Sequence, residues 1–273
     1  MSDFLFTTRR RAPGELRAEL ERWLGPVTAA CDEWHGDWGS LAVARGHHDR
    51  EVVREDGRFV SVLVGEPVVR IAPEPAGTAR GHGRRLAAHR LMQRGADQKW
   101  EKHFDGHFAA LLLDTRDGGG LVLSDLASFI PLFQAVEGEG TLVVGTHVDA
   151  VARAAGRIAL DPVSAADLLV NLSATYPHTL YRGVEQFPPA AARAFGRGGW
   201  SAEAHVYWRP REGGRFRAIG EAAEALRAAV ADDVRAATAG FDTAGLLLSG
   251  GEDSRAVLGA VPGGVKVRAF VYA

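Results

Sequence analysis

From residue 40 to residue 145 the apolar residues fall into short runs of strand length, at 40–44, 59–64, 67–71, 107–113, 120–124 and 141–145. Runs of this length, alternating or continuously apolar and bounded by turn residues, read as strands with at least one buried face. Gly65-Glu66-Pro67 and Asp117-Gly118-Gly119-Gly120 stand where hairpin loops belong. Residues 3–8 alternate weakly as a further strand, while 13–24, 83–94 and 96–103 repeat apolar positions at helical spacing. Strands, then helices, then strands again predict a layered α+β sandwich with antiparallel pairing, not a parallel sheet.

The pattern changes further along. Residues 162–172 read as a helix, Phe187-Pro188-Pro189 as a rigid break, and Gly196-Arg197-Gly198-Gly199 as a turn before Trp200. After Pro210, a helix over 217–237 carries Ile219, Ala222, Leu226, Val230 and Val234 on one face. An apolar strand at 244–248, a glycine loop, a helix at 254–260 and a strand at 265–272 follow. That order begins a parallel α/β sheet with both faces covered. Two strands leave such a sheet with open edges, so residues 211–273 are expected to be only the start of a domain, after a first region spanning 1–210.

Composition removes several classes of function. The 32 basic residues include only three lysines, Lys99, Lys102 and Lys266, and are scattered among 34 acids, so there is no basic stripe for nucleic acid. No run reaches the ~18 apolar residues of a membrane span. Arg9-Arg10-Arg11 precedes a charged amphipathic helix, not the apolar stretch of an export signal. A soluble, cytoplasmic protein is expected, with no membrane partner. The lone Cys31 forms neither an intrachain disulfide nor a Cys-x-x-Cys metal site.

Chemistry concentrates in Leu246-Leu247-Leu248-Ser249-Gly250-Gly251-Glu252-Asp253-Ser254-Arg255. A buried strand feeding a glycine loop and then a helix makes an anion cradle: backbone N–H groups are exposed beside the positive end of a helix dipole. Ser249 and Ser254 add hydroxyl donors. Asp253 would repel a bare phosphate, and its presence suggests a bridging Mg²⁺, which favours carboxylate plus phosphate oxygens. The spacing is not that of a P-loop, and no lysine follows the glycines. The plainer alternative is a Gly-Gly turn with an Asp-Ser helix cap.

Ser249-Gly250-Gly251-Glu252-Asp253-Ser254 resembles the SGGxDS pyrophosphate loop of the ATP-pyrophosphatase fold, and specifically that of the asparagine synthetase family. Other segments are similar to that family in the same order. Phe104-Asp105-Gly106-His107-Phe108-Ala109 with Leu113-Asp114 resembles its DGxFA…D strand. The segment from Ser124 to Phe133 resembles RDPLGIRPLY without the leading arginine and the glycine, and 144–150 stands in the place of ASEIKAL. Thr179-Leu180-Tyr181-Arg182-Gly183-Val184, Phe187-Pro188-Pro189-Ala190 and Tyr207-Trp208 follow its TLYxGIxxLPPG…YW connection.

The resemblance implies an N-terminal-nucleophile α/β/β/α antiparallel sandwich followed by the beginning of a parallel, HUP-like ATP-pyrophosphatase domain. It also implies ATP and Mg²⁺, with Leu248 and Tyr272 beside the adenine, Ser249, Gly250, Gly251, Asp253 and Ser254 on the pyrophosphate, and Asp253 on the metal. In the family an acyl-adenylate forms on a carboxylate and an amine then displaces AMP. Glutamine-dependent members expose an amino-terminal cysteine nucleophile, whereas this chain begins Met1-Ser2. Ser2 is the only candidate at that position, and a hydroxyl is a far poorer nucleophile than a thiolate. Val64-Gly65-Glu66 stands in the place of the NGE loop without its asparagine, and Asp105 fits the carboxylate that binds the glutamine amine. Gly65, Glu66 and Asp105 are therefore read as a vestigial glutamine site.

His103 and His107 are four apart, but Asp105-Gly106 between them disfavours one helix and hence a metal pair. Two kinds of function remain open. One is an ATP-dependent amide-forming ligase acting on a small-molecule or peptide carboxylate, with ammonia or a substrate amine as donor; within it, Arg255 leans towards a relative of the β-lactam synthetases and lasso-peptide cyclases. The other is a non-catalytic fragment or pseudoenzyme serving as a binding module. A homodimer is compatible with either.

Overall fold

The computed structural model describes residues 2–25, 28–47, 49, 51–69, 82–93, 99–138, 140–214 and 216–271. The chain forms two compact units, residues 1–72 with 85–209, and residues 73–84 with 210–273. The elements run β1 (Asp3–Thr7), α1 (Glu15–Leu24), β2 (Thr28–Gly36), β3 (Gly39–Gly46), β4 (Val53–Glu55), β5 (Phe59–Val69), α2 (His82–Gln93) and α3 (Trp100–His103). They continue with β6 (Phe104–Asp114), β7 (Gly120–Ser124), β8 (Phe133–Glu137), β9 (Thr141–Gly145), α4 (Val148–Ala154) and α5 (Pro162–Asn171). The last are β10 (Val184–Gln186), β11 (Ala191–Gly196), β12 (Gly199–Trp200), β13 (His205–Val206), α6 (Ile219–Thr238), β14 (Thr243–Leu247), α7 (Glu252–Ala260) and β15 (Lys266–Phe270).

The first unit holds two antiparallel sheets. One has the order β10-β8-β9-β1-β3-β2; the other has β12-β11-β7-β6-β5-β4, with β13 also paired to β11. Strand alternation sorts their side chains into layers. Phe4, Phe6, Leu41 and Val43 of the first sheet meet Val62, Val64, Ala109 and Leu111 of the second in a shared core. Leu5, Ala42 and Val143 face the other way, onto Leu16 and Leu20 of α1 and Val151 of α4. Leu63, Ala110 and Leu112 likewise turn outward to Ala88, Leu91 and Met92 of α2 and Trp100 of α3. The result is helix, sheet, sheet, helix, as the sequence led us to expect.

Three details depart from the sequence reading. Gly65-Glu66-Pro67 does not turn the chain: β5 runs straight through it and pairs with β6 from Phe59↔Asp114 to Val69↔Phe104. Gly65 is in the left-handed region at φ +88°, and a methyl group there would overlap the His107 carbonyl oxygen and the Ile130 side chain. Pro67 is tolerated because β4 reaches only as far as Val62 along β5, so the missing N–H removes no bond on that side. Strand β2, with Asp32, Glu33 and His35, lies at a sheet edge and has no apolar run to announce it. The helix expected over 96–103 is the single turn Trp100–His103, with 94–98 outside the described residues.

In the second unit, β14 and β15 pair in parallel from Thr243↔Lys266 to Leu247↔Phe270, with α7 as the connection between them. Of the face expected on α6, only Val234 is buried, while Ile219 and Leu226 are exposed. Among the described residues no helix is long and apolar enough to cross a membrane.

Candidate functional site

The residues singled out by the sequence fall into three groups, two in the first unit and one in the second. The first is the amino-terminal end of β1. Alternation from Phe4 and Phe6 carries Ser2 onto the side of the sheet that faces the second sheet, and it is fully buried. Its hydroxyl donates to Asp49 Oδ2 at 2.6 Å and accepts the Gly46 N–H at 3.0 Å. A hydroxyl so bonded and shielded is a pin between β1 and the end of β3.

Asp3 lies next to it, 6% exposed, and accepts from Thr146 Oγ1 at 2.8 Å; Thr146 in turn exchanges bonds with the Phe4 backbone. Burial pushes the Asp3 carboxyl above its ordinary value, against the Thr146 hydrogen bond and the nearby His147, with Asp49 adding to the rise. A raised folded value means that the native state holds the proton more tightly than the unfolded chain. The resulting stabilisation is present at acid pH and is lost as pH rises through the folded value. Asp3→Asn keeps the acceptor for Thr146 without the buried charge. It is expected to raise the melting temperature at neutral pH, with the advantage shrinking as pH falls through the raised folded value and gone below the ordinary one, as followed by calorimetry across pH.

The second group is on β5 and β6. Their register sets Glu66 opposite His107 and Val68 opposite Asp105, with Gly65 opposite Phe108. Alternation from Val64 and Ala109 turns Glu66, Asp105 and His107 to the side that faces the first sheet. Asp105 Oδ1 accepts from the Gly106 N–H at 2.8 Å, which constrains the carboxylate within the strand. The exposed His107 ring lies 4.2 Å from that of Phe129, itself 64% exposed. Gly65, Glu66 and Asp105 are thus brought onto neighbouring strands, whereas the hydrogen-bond partners of Ser2 are Asp49 and Gly46. His103 closes α3 and His107 stands within β6, so the two share no helix; among the described residues no group of three or more metal-ligating side chains exists.

Asp125 holds this region in place. It is fully buried, and its two oxygens accept four backbone N–H groups: Phe108 at 3.2 Å, Ile130 at 3.2 Å, Ala127 at 2.9 Å and Phe129 at 3.0 Å. Ser124, where the family motif has arginine, fixes the next segment instead. Its hydroxyl donates to the Pro188 carbonyl at 2.6 Å and accepts the Ala191 N–H at 3.0 Å. Ser128, where the motif has glycine, keeps a left-handed backbone at φ +53°. Its buried hydroxyl has no partner among the described residues. A buried pair not visible in the sequence, Ser61 Oγ and His89 Nδ1 at 2.6 Å, ties β5 to α2; at 0% and 1% exposure it belongs to the core. Cys31 is also buried, and burial pushes its thiol to about 12, so it supplies no thiolate near neutral pH.

The third group is the loop between β14 and α7. Leu248, just past β14, donates its N–H to the Phe270 carbonyl at 2.8 Å. Gly251 caps α7, and Glu252 and Asp253 occupy its first turn. Ser249 Oγ and Ser254 Oγ lie 3.1 Å apart, and the Gly251 N–H reaches Ser249 Oγ at 3.3 Å, which closes the loop on itself. A side chain added at Gly250 would meet nothing within 4 Å, and one at Gly251 would meet only Ser249 Oγ at 3.3 Å. The glycines therefore leave open space beside the backbone at the start of a helix, which is where an anion is held. One carboxylate, Asp253, suits Mg²⁺ when phosphate oxygens supply the other ligands. Tyr272 lies outside the described residues.

Residues 86–208 match the glutamine amidotransferase domain family. The matched stretch, under half of the chain, includes Asp105 and Asp125, and Ser2, Gly65 and Glu66 precede it. No curated protein sequence matches. Among solved structures, the chain is similar to one described as the allosteric regulatory enzyme of purine biosynthesis, at 11% identity and a TM-score of 0.46, over 98% of this chain and 65% of that one. It is likewise similar to the glutamine phosphoribosylpyrophosphate amidotransferase from B. subtilis complexed with ADP and GMP, at 11% identity and a TM-score of 0.45, over 98% and 65%. The chain thus spans slightly less than two thirds of either structure.

Proposed function

We propose that this chain is the amidotransferase-like part, with the first nucleotide-binding elements, of an ATP-dependent amide-forming ligase of the asparagine synthetase type whose glutaminase site is silent. The observation that carries this reading is the Ser249–Ser254 loop, placed between a parallel strand and a helix start, downstream of a glutamine amidotransferase domain. ATP supplies the activation of a carboxylate. The Ser249 and Ser254 hydroxyls and the backbone of Gly250 and Gly251 would grip its pyrophosphate, with Leu248 towards the base and Asp253 on Mg²⁺. Because Ser2 is buried and bonded, the amine comes as free ammonia or as part of the substrate, a small molecule or a peptide.

Calorimetric titration of the chain with Mg²⁺–ATP and with Mg²⁺–pyrophosphate tests this. Saturable binding of both is expected. Replacing Ser249 and Ser254 together by alanine should weaken it at least tenfold, about 1.4 kcal/mol, and Asp253→Asn should remove its dependence on Mg²⁺. A chain that binds neither ligand would instead fit the reading as a non-catalytic binding module.

A further inference from the structure

On the helices of this chain, arginines reach carboxylates one turn away. Arg17 bonds Glu21 in α1, and in α6 Arg227 bonds Glu224 and Arg235 bonds Asp232. In both α6 pairs the acid stands three residues before the arginine. Arg255 of α7 has the same option, because Glu252 stands three residues before it. It takes another. Its Nε donates to the Gly251 carbonyl at 3.2 Å, and among the described residues it makes no ion pair. Helical side chains lean towards the amino end of their helix, and this bond carries the guanidinium back over the residue that caps α7. Both Nη groups are left without a partner among the described residues.

Helix electrostatics do not account for this placement. The amino end of a helix carries partial positive charge, which suits Glu252 and Asp253 in the first turn and disfavours a cation. Neither a carboxylate nor the dipole holds the guanidinium there, whereas an anion in the loop would. We propose that Arg255 is a pyrophosphate-gripping residue of the Ser249–Ser254 loop, its Nη groups closing on phosphate oxygens while its Nε stays on the Gly251 carbonyl. This rests on the reading of the loop as an ATP site and supplies what that site otherwise lacks. The hydroxyls and backbone N–H groups of the loop are neutral donors, and Glu252 and Asp253 add negative charge. The one lysine of the second unit, Lys266, pairs with Thr243 at the start of β14, at the far end of the strand from the loop. A guanidinium also matches the task by shape, since its planar fork meets two phosphate oxygens at once where an ammonium is a point charge.

Calorimetric titration of the intact chain with Mg²⁺–pyrophosphate, for wild type, Arg255→Gln and Arg255→Lys, tests this. Arg255→Gln should weaken binding at least tenfold and leave the melting temperature of the ligand-free protein unchanged. Arg255→Lys should fall between the two, because it restores the charge without the fork. The affinity of wild type should also fall more steeply with added sodium chloride than that of Arg255→Gln, which has one charge fewer to screen. Wild-type affinity retained in Arg255→Gln overturns the proposal and leaves the ATP reading of the loop standing. A wild-type chain that does not bind pyrophosphate overturns both. Weakened binding accompanied by a lowered melting temperature in Arg255→Gln also overturns the proposal, since Arg255 would then serve the fold of the loop and not its ligand.

Discussion

Asp125→Ala is expected to cost about 4 kcal/mol or more, which is exceptional for one substitution, and to leave much of the protein unfolded or insoluble on expression. The buried side chain accepts four backbone N–H groups, two in buried bonds and two in part-buried ones. Alanine would strip all four of their partner; those of Phe108 and Ile130 are buried, and each buried donor left unsatisfied costs roughly 1–3 kcal/mol, while those of Ala127 and Phe129 can turn to water. Water entering the space would recover part of that loss. Two of the donors, Phe129 and Ile130, belong to the segment that abuts Gly65, and a third, Phe108, is in β6. The loss would therefore loosen the β5–β6 region together with the loop. Asp125→Asn keeps one accepting oxygen and should fall between wild type and alanine. Chemical denaturation of whichever variants stay soluble, followed by far-ultraviolet circular dichroism, gives the order.

Gly65→Ala should destabilise by about 3 kcal/mol. Two effects combine there: a left-handed backbone costs an L-residue ~1–2 kcal/mol, and overpacking a filled site costs ~1–3 kcal/mol. The added methyl would overlap a backbone carbonyl, that of His107, and neither strand can withdraw without breaking the ladder. The Ile130 side chain can move, so Ile130→Ala combined with Gly65→Ala should recover only the smaller part of the loss. At Gly250, where an added side chain meets nothing within 4 Å, the corresponding alanine should leave stability within ~0.5 kcal/mol. The contrast separates a glycine required by the fold from one that leaves room for a ligand. Denaturation midpoints of the variants measure it.

Much of the first unit was legible because its strands alternate, and the alternation separates the core between the sheets from the two cores under the helices. The runs at 107–113, 120–124 and 141–145 became β6, β7 and β9 with small shifts of boundary. Where reading failed, a residue type had two uses. A glycine with a proline two residues on signals a turn, but in β5 the glycine admits a close backbone approach, and only the neighbouring strand reveals which applies. Strand β2 was missed because an edge strand can be polar.

At the candidate sites, sequence showed local chemistry and hid the tertiary partners. The Ser249–Ser254 loop is contiguous, and its strand-to-helix placement follows from its own spacing. The partner of Ser2, by contrast, is Asp49, 47 positions away on no shared motif. Asp125 was part of a recognisable segment, yet the Phe108 N–H it holds comes from another strand. Ser124 and Ser128 departed from the motif in sequence, and only the coordinates showed that one supplies new bonds and the other keeps the glycine-like backbone.

The proposed reading has an amidotransferase-type domain in which Ser2 serves as a structural pin, held by Asp49 and Gly46. The most direct measurement is glutamate release from glutamine by the purified chain, with Ser2→Ala alongside. The account predicts no release above the uncatalysed background for either protein, and a lower melting temperature for Ser2→Ala as the bonds to Asp49 and Gly46 are lost. Release at an enzyme-like rate that Ser2→Ala abolishes would contradict it.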